Sequence, residues 1–175
     1  MSTFWHEDFI VQLASIVRPK VYVELGIFHC TLFNRVIPFA EQLIGVDINA
    51  NAGTYMNVLP KTQFFHSTTE AFAKQLKDNP LQIDMLFIDA DHSKEAVLQD
   101  FHDYFPFVAQ QGLILLHDSH PGDERMLHPS LCGTAHEAIE QLSKERENYE
   151  MMTIPVSPGL TICRKRTTQL SWHEK

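Results

Sequence analysis

The sequence predicts an α/β fold, a three-layer sandwich in which a mostly parallel seven-stranded sheet lies between helices, and three observations carry that reading. Four apolar runs end in polar or acidic residues at the spacing of parallel strands: Val21-Tyr22-Val23-Glu24-Leu25-Gly26, Leu43-Ile44-Gly45-Val46-Asp47, Ile83 through Asp91-His92, and Gly112-Leu113-Ile114-Leu115-Leu116-His117-Asp118. The stretches between them repeat apolar residues at helical spacing. Two last strand-like runs meet across Ser157-Pro158-Gly159, a tight-turn sequence that pairs them as an antiparallel hairpin. In an open α/β sheet ligands bind outside the carboxyl ends of the strands, where these polar residues fall.

The elements follow in order. Trp5, Phe9, Ile10, Leu13, Ile16 and Val17 recur at helical spacing and Pro19 closes the segment, so a leading helix occupies residues 1–19. Strand 1, about 21–25, leads through Gly26 into a helix bearing Leu32, Phe33, Val36 and Ile37, which Pro38 ends or kinks. Strand 2 covers about 43–46. Asn49-Ala50-Asn51-Ala52-Gly53 reads as a turn and helix start, and Thr62-Gln63-Phe64-Phe65 as a short third strand. A helix over about 70–77 stops at Asp78-Asn79-Pro80. Strand 4 is almost continuously apolar, as a strand buried on both faces should be, and Ser93 caps the helix carrying Val97, Leu98, Phe101, Tyr104 and Phe105. Strand 5 follows Gln110-Gln111-Gly112. Residues 119–133 have no period and hold Pro121, Gly122, Pro129 and Gly133, which predicts a long loop above the strand ends. Thr134 and Glu137 have capping-box spacing before Ala138, Ile139 and Leu142, and the final strands cover about 151–156 and 160–164.

With 175 residues the chain suits one domain with a single substantial core: the leading helix to residue 19, a core over 20–166 and a tail over 167–175. Hydrophobic residues make up 44% and charged residues 21%, an ordinary globular balance. No apolar run reaches the roughly 18 residues of a membrane span. The N-terminus lacks a basic and apolar secretory pattern, which makes a cytoplasmic location the expectation. A net charge of −8 argues against a nucleic-acid surface, because binding phosphates requires clustered Lys and Arg. Cys30, Cys132 and Cys163 are odd in number and far apart, suggesting reduced thiols rather than a disulfide framework or a zinc site.

The glycine turn after strand 1, the acid ending strand 2, Phe87-Ile88-Asp89-Ala90-Asp91-His92, Gly112-Leu113-Ile114-Leu115-Leu116-His117-Asp118 and the closing hairpin together resemble a class I S-adenosylmethionine-dependent methyltransferase. The similarity runs from about residue 21 to 165. Within that superfamily the two strings resemble small-molecule O-methyltransferases, including those of sugars and polyketides, and cephalosporin-hydroxylase-like proteins. The resemblance implies a Rossmann-like fold, a small hydroxylated metabolite as methyl acceptor and a homodimer as the possible assembly. It places Glu24 and Gly26 at the methionine end of the cofactor, Asp47 at the ribose, Ser67 and Thr68 at the adenine, and Ile48 and Asp89 among the cofactor contacts. It also implies His92 as the general base with Asp89 as its catalytic neighbour, and Asp89 and Asp118 as ligands of Mg²⁺.

The residues give independent reasons for a cofactor loop. Gly26 has no Cβ, so its backbone can turn sharply and approach a ligand. Asp47 stands 23 residues after Glu24, the offset at which an acid ending strand 2 accepts hydrogen bonds from ribose hydroxyls. His92 suits proton removal near neutral pH, and oxygen-rich strand ends suit a hard cation. The chain departs from the family pattern twice, with Cys30 where a second glycine is usual and His117 where some relatives carry an acid. His120-Pro121-Gly122-Asp123-Glu124 is similar to the His-Pro-Asp-Asp-Glu string of zinc-dependent deacetylases and supplies a hydrolase alternative. A binding protein without turnover is a further alternative. A nicotinamide enzyme is disfavoured, because Phe28 and Thr31 occupy later glycine positions of the dinucleotide fingerprint. The remaining histidines, including His6, His66, His102, His128 and His136, are expected on the surface.

Overall fold

The structure, a computed structural model, describes residues 4–145 and 147–166. The predicted tail lies outside the described residues. Helix α1 (Trp5–Val17) precedes β1 (Val21–Leu25), α2 (Thr31–Val36), β2 (Gln42–Asp47), β3 (Thr62–His66), α3 (Thr69–Asp78), β4 (Ile83–Ile88), α4 (Lys94–Tyr104), β5 (Val108–His117), α5 (Ala135–Leu142), β6 (Tyr149–Ile154) and β7 (Leu160–Lys165). Seven strands form one sheet in the order β3-β2-β1-β4-β5-β7-β6. The first five pair in parallel, and β7 runs antiparallel to both β5 and β6.

The central strands are buried on both faces because each alternates its side chains between two apolar layers. Val21, Val23 and Leu25 of β1 face the layer that holds Phe72 of α3, Phe101 of α4 and Ile139 of α5. Tyr22 faces the other way, among Ile10 of α1 and Phe33 of α2. After β3 the chain returns to the opposite side of β1 to form β4, so the strand order reverses between β1 and β4. That reversal opens a crevice at the carboxyl ends of the two strands, the place where such sheets bind ligands.

Three local expectations change. Strand β5 begins at Val108 rather than after Gly112, and a register shift lets Ile83 pair with Val108 while Met85 pairs with Leu113. The Thr134 hydroxyl does not cap its own helix. Its Oγ1 instead accepts the Lys94 backbone N–H at 2.8 Å, tying the start of α5 to that of α4. The first hairpin strand also starts earlier, at Tyr149, and ends at Ile154, whereas β7 begins at Leu160 as expected.

Helix α1 is anchored at several points. Arg35 donates to Glu7 at 3.1 Å and to Asp8 at 2.5 Å, and the Trp5 indole N–H donates to the Ser157 carbonyl at 3.0 Å. This docking brings the first turn of α1 over the end of β5. No helix among the described residues is long and apolar enough to cross a membrane.

Candidate functional site

Gly26 stands at the centre of the crevice. Its φ is +83°, and a Cβ there would lie 2.2 Å from the Asp89 carbonyl oxygen, so only glycine lets the turn after β1 pass against the end of β4. Gly26 lines two cavities, one on either side of this turn.

The first cavity, of about 310 Å³, is lined by Asp47, Ile48, Ser67, Thr68 and Asp91 besides Gly26. Asp47 ends β2 and is held by two backbone amides: Oδ2 accepts from Phe28 N–H at 3.0 Å and Oδ1 from Asn49 N–H at 2.8 Å. Its orientation therefore depends on the loop after Gly26. Thr68 caps α3 by accepting the Ala71 N–H at 3.1 Å. Ile48 is exposed at the mouth. Asp47, Ser67 and Thr68, the residues expected around a ribose and adenine, thus share one space with Ile48.

The second cavity, of about 210 Å³, is lined by Glu24, Phe87, Asp89, His117 and His6 besides Gly26. Glu24 is buried, and the Tyr22 hydroxyl donates to its Oε2 at 2.5 Å. Burial pushes this carboxyl well above the usual range although the Tyr22 hydrogen bond opposes the shift.

Beyond it lies a cluster of acids and imidazoles at the ends of β4 and β5. His117 Nδ1–H donates to Asp89 Oδ1 at 2.8 Å and lies 3.4 Å from Asp118 Oδ1. Burial disfavours charge on His117, but Asp89 and Asp118 outweigh it and raise its pKa to about 10. Burial alone would raise the Asp118 carboxyl, whereas the His117 hydrogen bond and charge bring it below its usual value. His92 Nδ1–H donates to the Leu131 carbonyl and lies 3.2 Å from Asp118 Oδ2, while its Nε2 is 3.8 Å from Asp89 Oδ1. Asp89, His92 and Asp118 offer ligand atoms within 4.8 Å of one another, the one group among the described residues that could hold a metal ion.

Cys30 proves compatible with the loop. It adopts a left-handed φ of 55°, as does Phe28 at 43°, and its buried thiol donates to the Ala52 carbonyl at 3.3 Å. The sulfur is committed to packing, and burial pushes the thiol up to about 12. His120 and Asp123 of the deacetylase-like string lie outside the Asp89 cluster, and Asp123 pairs with Arg125 at 2.7 Å.

Two histidines contradict the surface expectation. His136 is half-buried, and its Nδ1 is a buried atom without a partner among the described residues. His6 is 7% exposed and its ring centroid lies 4.1 Å from that of His117. The signal for His6 was present in the chain: it stands four and eight residues before Ile10 and Ala14 on the one buried stripe of α1. His66, His102 and His128 are exposed, as expected.

Residues 23–119, more than half of the chain, match the family model described as a methyltransferase domain. An uncharacterised protein of Acanthamoeba polyphaga mimivirus is 32% identical over 114 residues, which are 55% of this chain and 50% of the viral protein. The chain thus spans about half the length of that curated relative. Three solved structures share the fold. The O-methyltransferase from Bacillus cereus in complex with SAH has a TM-score of 0.75 at 12% identity, over 93% of this chain and 81% of that one. A putative caffeoyl-CoA O-methyltransferase from Staphylococcus aureus gives 0.75 at 18% identity, over 93% and 83%. The O-methyltransferase TomG from Streptomyces achromogenes, in complex with SAM, gives 0.70 at 14% identity, over 93% and 80%.

Proposed function

The chain belongs to the methyltransferase-domain family, and on that premise we propose that it is an S-adenosylmethionine-dependent O-methyltransferase acting on a small hydroxylated metabolite. One observation carries the cofactor reading: a single glycine turn separates a cavity bearing Asp47, Ser67 and Thr68 from one bearing Glu24 and Asp89. The first suits a nucleoside and the second an amino-acid end, and the missing Cβ of Gly26 lets a ligand bridge them. Asp47 would accept from the ribose hydroxyls, Ile48 would cover the adenine with Ser67 and Thr68 beneath it, and Glu24 and Asp89 would face the ammonium group.

When bound, S-adenosylmethionine supplies a methyl group on a sulfonium sulfur. The chain's own task is to orient the acceptor oxygen in line with that group and take its proton. His92 suits the second role. Its Nδ1–H is engaged by the Leu131 carbonyl, which leaves Nε2, beside Asp89, as the nitrogen able to accept a proton. The acidic composition, with a net charge of −8, supports a small acceptor rather than a nucleic acid. A single domain over 1–175, a cytoplasmic location and a homodimer complete the proposal.

A second reading adds Mg²⁺, favoured by the convergence of Asp89, His92 and Asp118 within 4.8 Å. The cation would polarise an acceptor hydroxyl. His117 already bridges towards both carboxylates and gives the site a positive charge of its own. Titration calorimetry with S-adenosylmethionine, followed by methyl transfer to a panel of hydroxylated acceptors in EDTA and in Mg²⁺, tests both readings. Micromolar cofactor binding with transfer is the expected result, and transfer abolished by EDTA would establish the metal. Absence of cofactor binding, or preferential binding of NAD, overturns the proposal.

A further inference from the structure

We propose that His6, carried by the leading helix α1, recognises the amino-acid end of S-adenosylmethionine by donating its Nδ1–H to the carboxylate, an inference that rests on the cofactor reading above. The position calls for an apolar side chain: Ile10 and Ala14, which continue its stripe on α1, are both fully buried. Leucine or phenylalanine would pack there at no polar cost. The chain instead buries an imidazole whose Nδ1 has no hydrogen-bond partner among the described residues. A buried, unpaired polar atom is destabilising and needs an explanation, and such local liabilities concentrate where a ligand is handled.

The surroundings say which ligand group this atom suits. Glu24 and Asp89, which line the same cavity, supply acceptors for an ammonium group. A zwitterion also needs donors for its carboxylate, and the glycine loop has few amides to offer. Gly26 N–H donates to the Val46 carbonyl, Phe28 N–H to Asp47 and Cys30 N–H to the Ile27 carbonyl. With these three amides committed, a side-chain donor complements the carboxylate, and His6 lines the cavity. Burial, and then the neighbouring charge of His117, lower the His6 pKa to about 4, against the opposing pull of Asp89, Asp118 and Asp8. A neutral imidazole carries one N–H and one lone pair, so Nδ1 can hold the proton it donates. The helix that delivers it is fixed through Glu7 and Asp8 to Arg35 and through Trp5 to the Ser157 carbonyl. The leading helix is accordingly part of the cofactor site.

A ligand without the amino-acid end should be indifferent to His6. Titration calorimetry on the parent protein and on His6→Phe and His6→Asn therefore uses two probes, S-adenosylhomocysteine and methylthioadenosine, which share the nucleoside and differ at that end. His6→Phe should weaken S-adenosylhomocysteine about tenfold or more while changing methylthioadenosine less than about twofold. His6→Asn, whose amide can stand in for Nδ1–H, should stay within about threefold of the parent. On the parent itself, the imidazole nitrogen resonances of His6 should move on adding S-adenosylhomocysteine and stay in place with methylthioadenosine, a reading that survives even if a variant does not fold. Equal weakening of the two probes, an unchanged affinity in His6→Phe, or a His6 resonance indifferent to S-adenosylhomocysteine overturns the role and leaves the cofactor reading standing. If the parent binds methylthioadenosine but not S-adenosylhomocysteine, or binds neither probe, the cofactor reading falls together with it.

Discussion

His117 Nδ1 lies 2.8 Å from Asp89 Oδ1, so the end of β5 is joined to the end of β4 by a buried charge-assisted hydrogen bond at the floor of the crevice. Asp118 Oδ1, 3.4 Å from the same nitrogen, makes His117 the shared cation of two carboxylates. Removing one member of such a set leaves an uncompensated charge, which is costly for Asp118 because its side chain is only 6% exposed. His117→Leu should therefore lower stability by about 3 kcal/mol, at the lower end for buried pairs because Asp89 is partly exposed. Urea denaturation reads this, and adding Asp118→Leu to the same protein should recover part of the loss. A shift under about 1 kcal/mol would mean that solvent already screens the cluster.

Asp100 sets a pH dependence away from the site. It is 4% exposed on α4, and burial raises its carboxyl to about 6 although a Thr69 hydrogen bond opposes the shift. A carboxyl raised on folding contributes stability that is fully present below its unfolded value and lost as pH rises through the folded one. Stability should accordingly decline from about pH 4 to pH 6 on account of this group. Asp100→Asn keeps an acceptor for Thr69 and removes the charge, so it should stabilise the protein on the order of 2 kcal/mol at pH 8 and by almost nothing at pH 4. Denaturation midpoints at the two pH values check the sign, and equal effects at both would dismiss the titration.

On the proposed cofactor reading Asp47 carries two duties, since the oxygens it would offer to a ribose also accept the Phe28 and Asn49 amides. Asp47→Ala should weaken S-adenosylmethionine at least about tenfold, the loss expected for a charged acceptor worth on the order of 1.5–3 kcal/mol. The same variant should melt lower than the parent because two loop amides lose their partner. Calorimetry and a melting curve on one preparation separate the two effects, and unchanged affinity would remove Asp47 from the cofactor site.

His92 should matter to turnover and hardly at all to cofactor affinity. A positioned base contributes roughly 10²–10⁴-fold to rate, so His92→Ala should depress methyl transfer by that factor. Because His92 also donates to the Leu131 carbonyl, the variant should loosen the loop over 119–133, visible as faster amide exchange there. A turnover loss below about threefold would reduce His92 to a tether for that loop.

The chain by itself determined the fold class, because strand and helix are written in local periods and the near-continuous apolar run of β4 can only belong to a strand covered on both faces. It also brought four of the expected site residues to one edge of the sheet. Gly26, Asp47, Ser67 and Thr68 sit at strand ends or just beyond, and a doubly wound sheet places all such ends along one edge. What the tertiary structure alone decided depends on contacts between distant segments. Thr134 has the local signature of a cap, yet the free amide at the start of α4 takes its hydroxyl, a competition invisible without the packing of α4 against α5. His117 reads in the chain as one more polar strand end, and it favours the cationic form because Asp89 and Asp118 converge on it. His6 belongs to the cavity only because Arg35, far along the chain, holds the first turn of α1 over β5. Local pattern fixes which residues face inward, whereas the partners they meet there are set by how the elements dock.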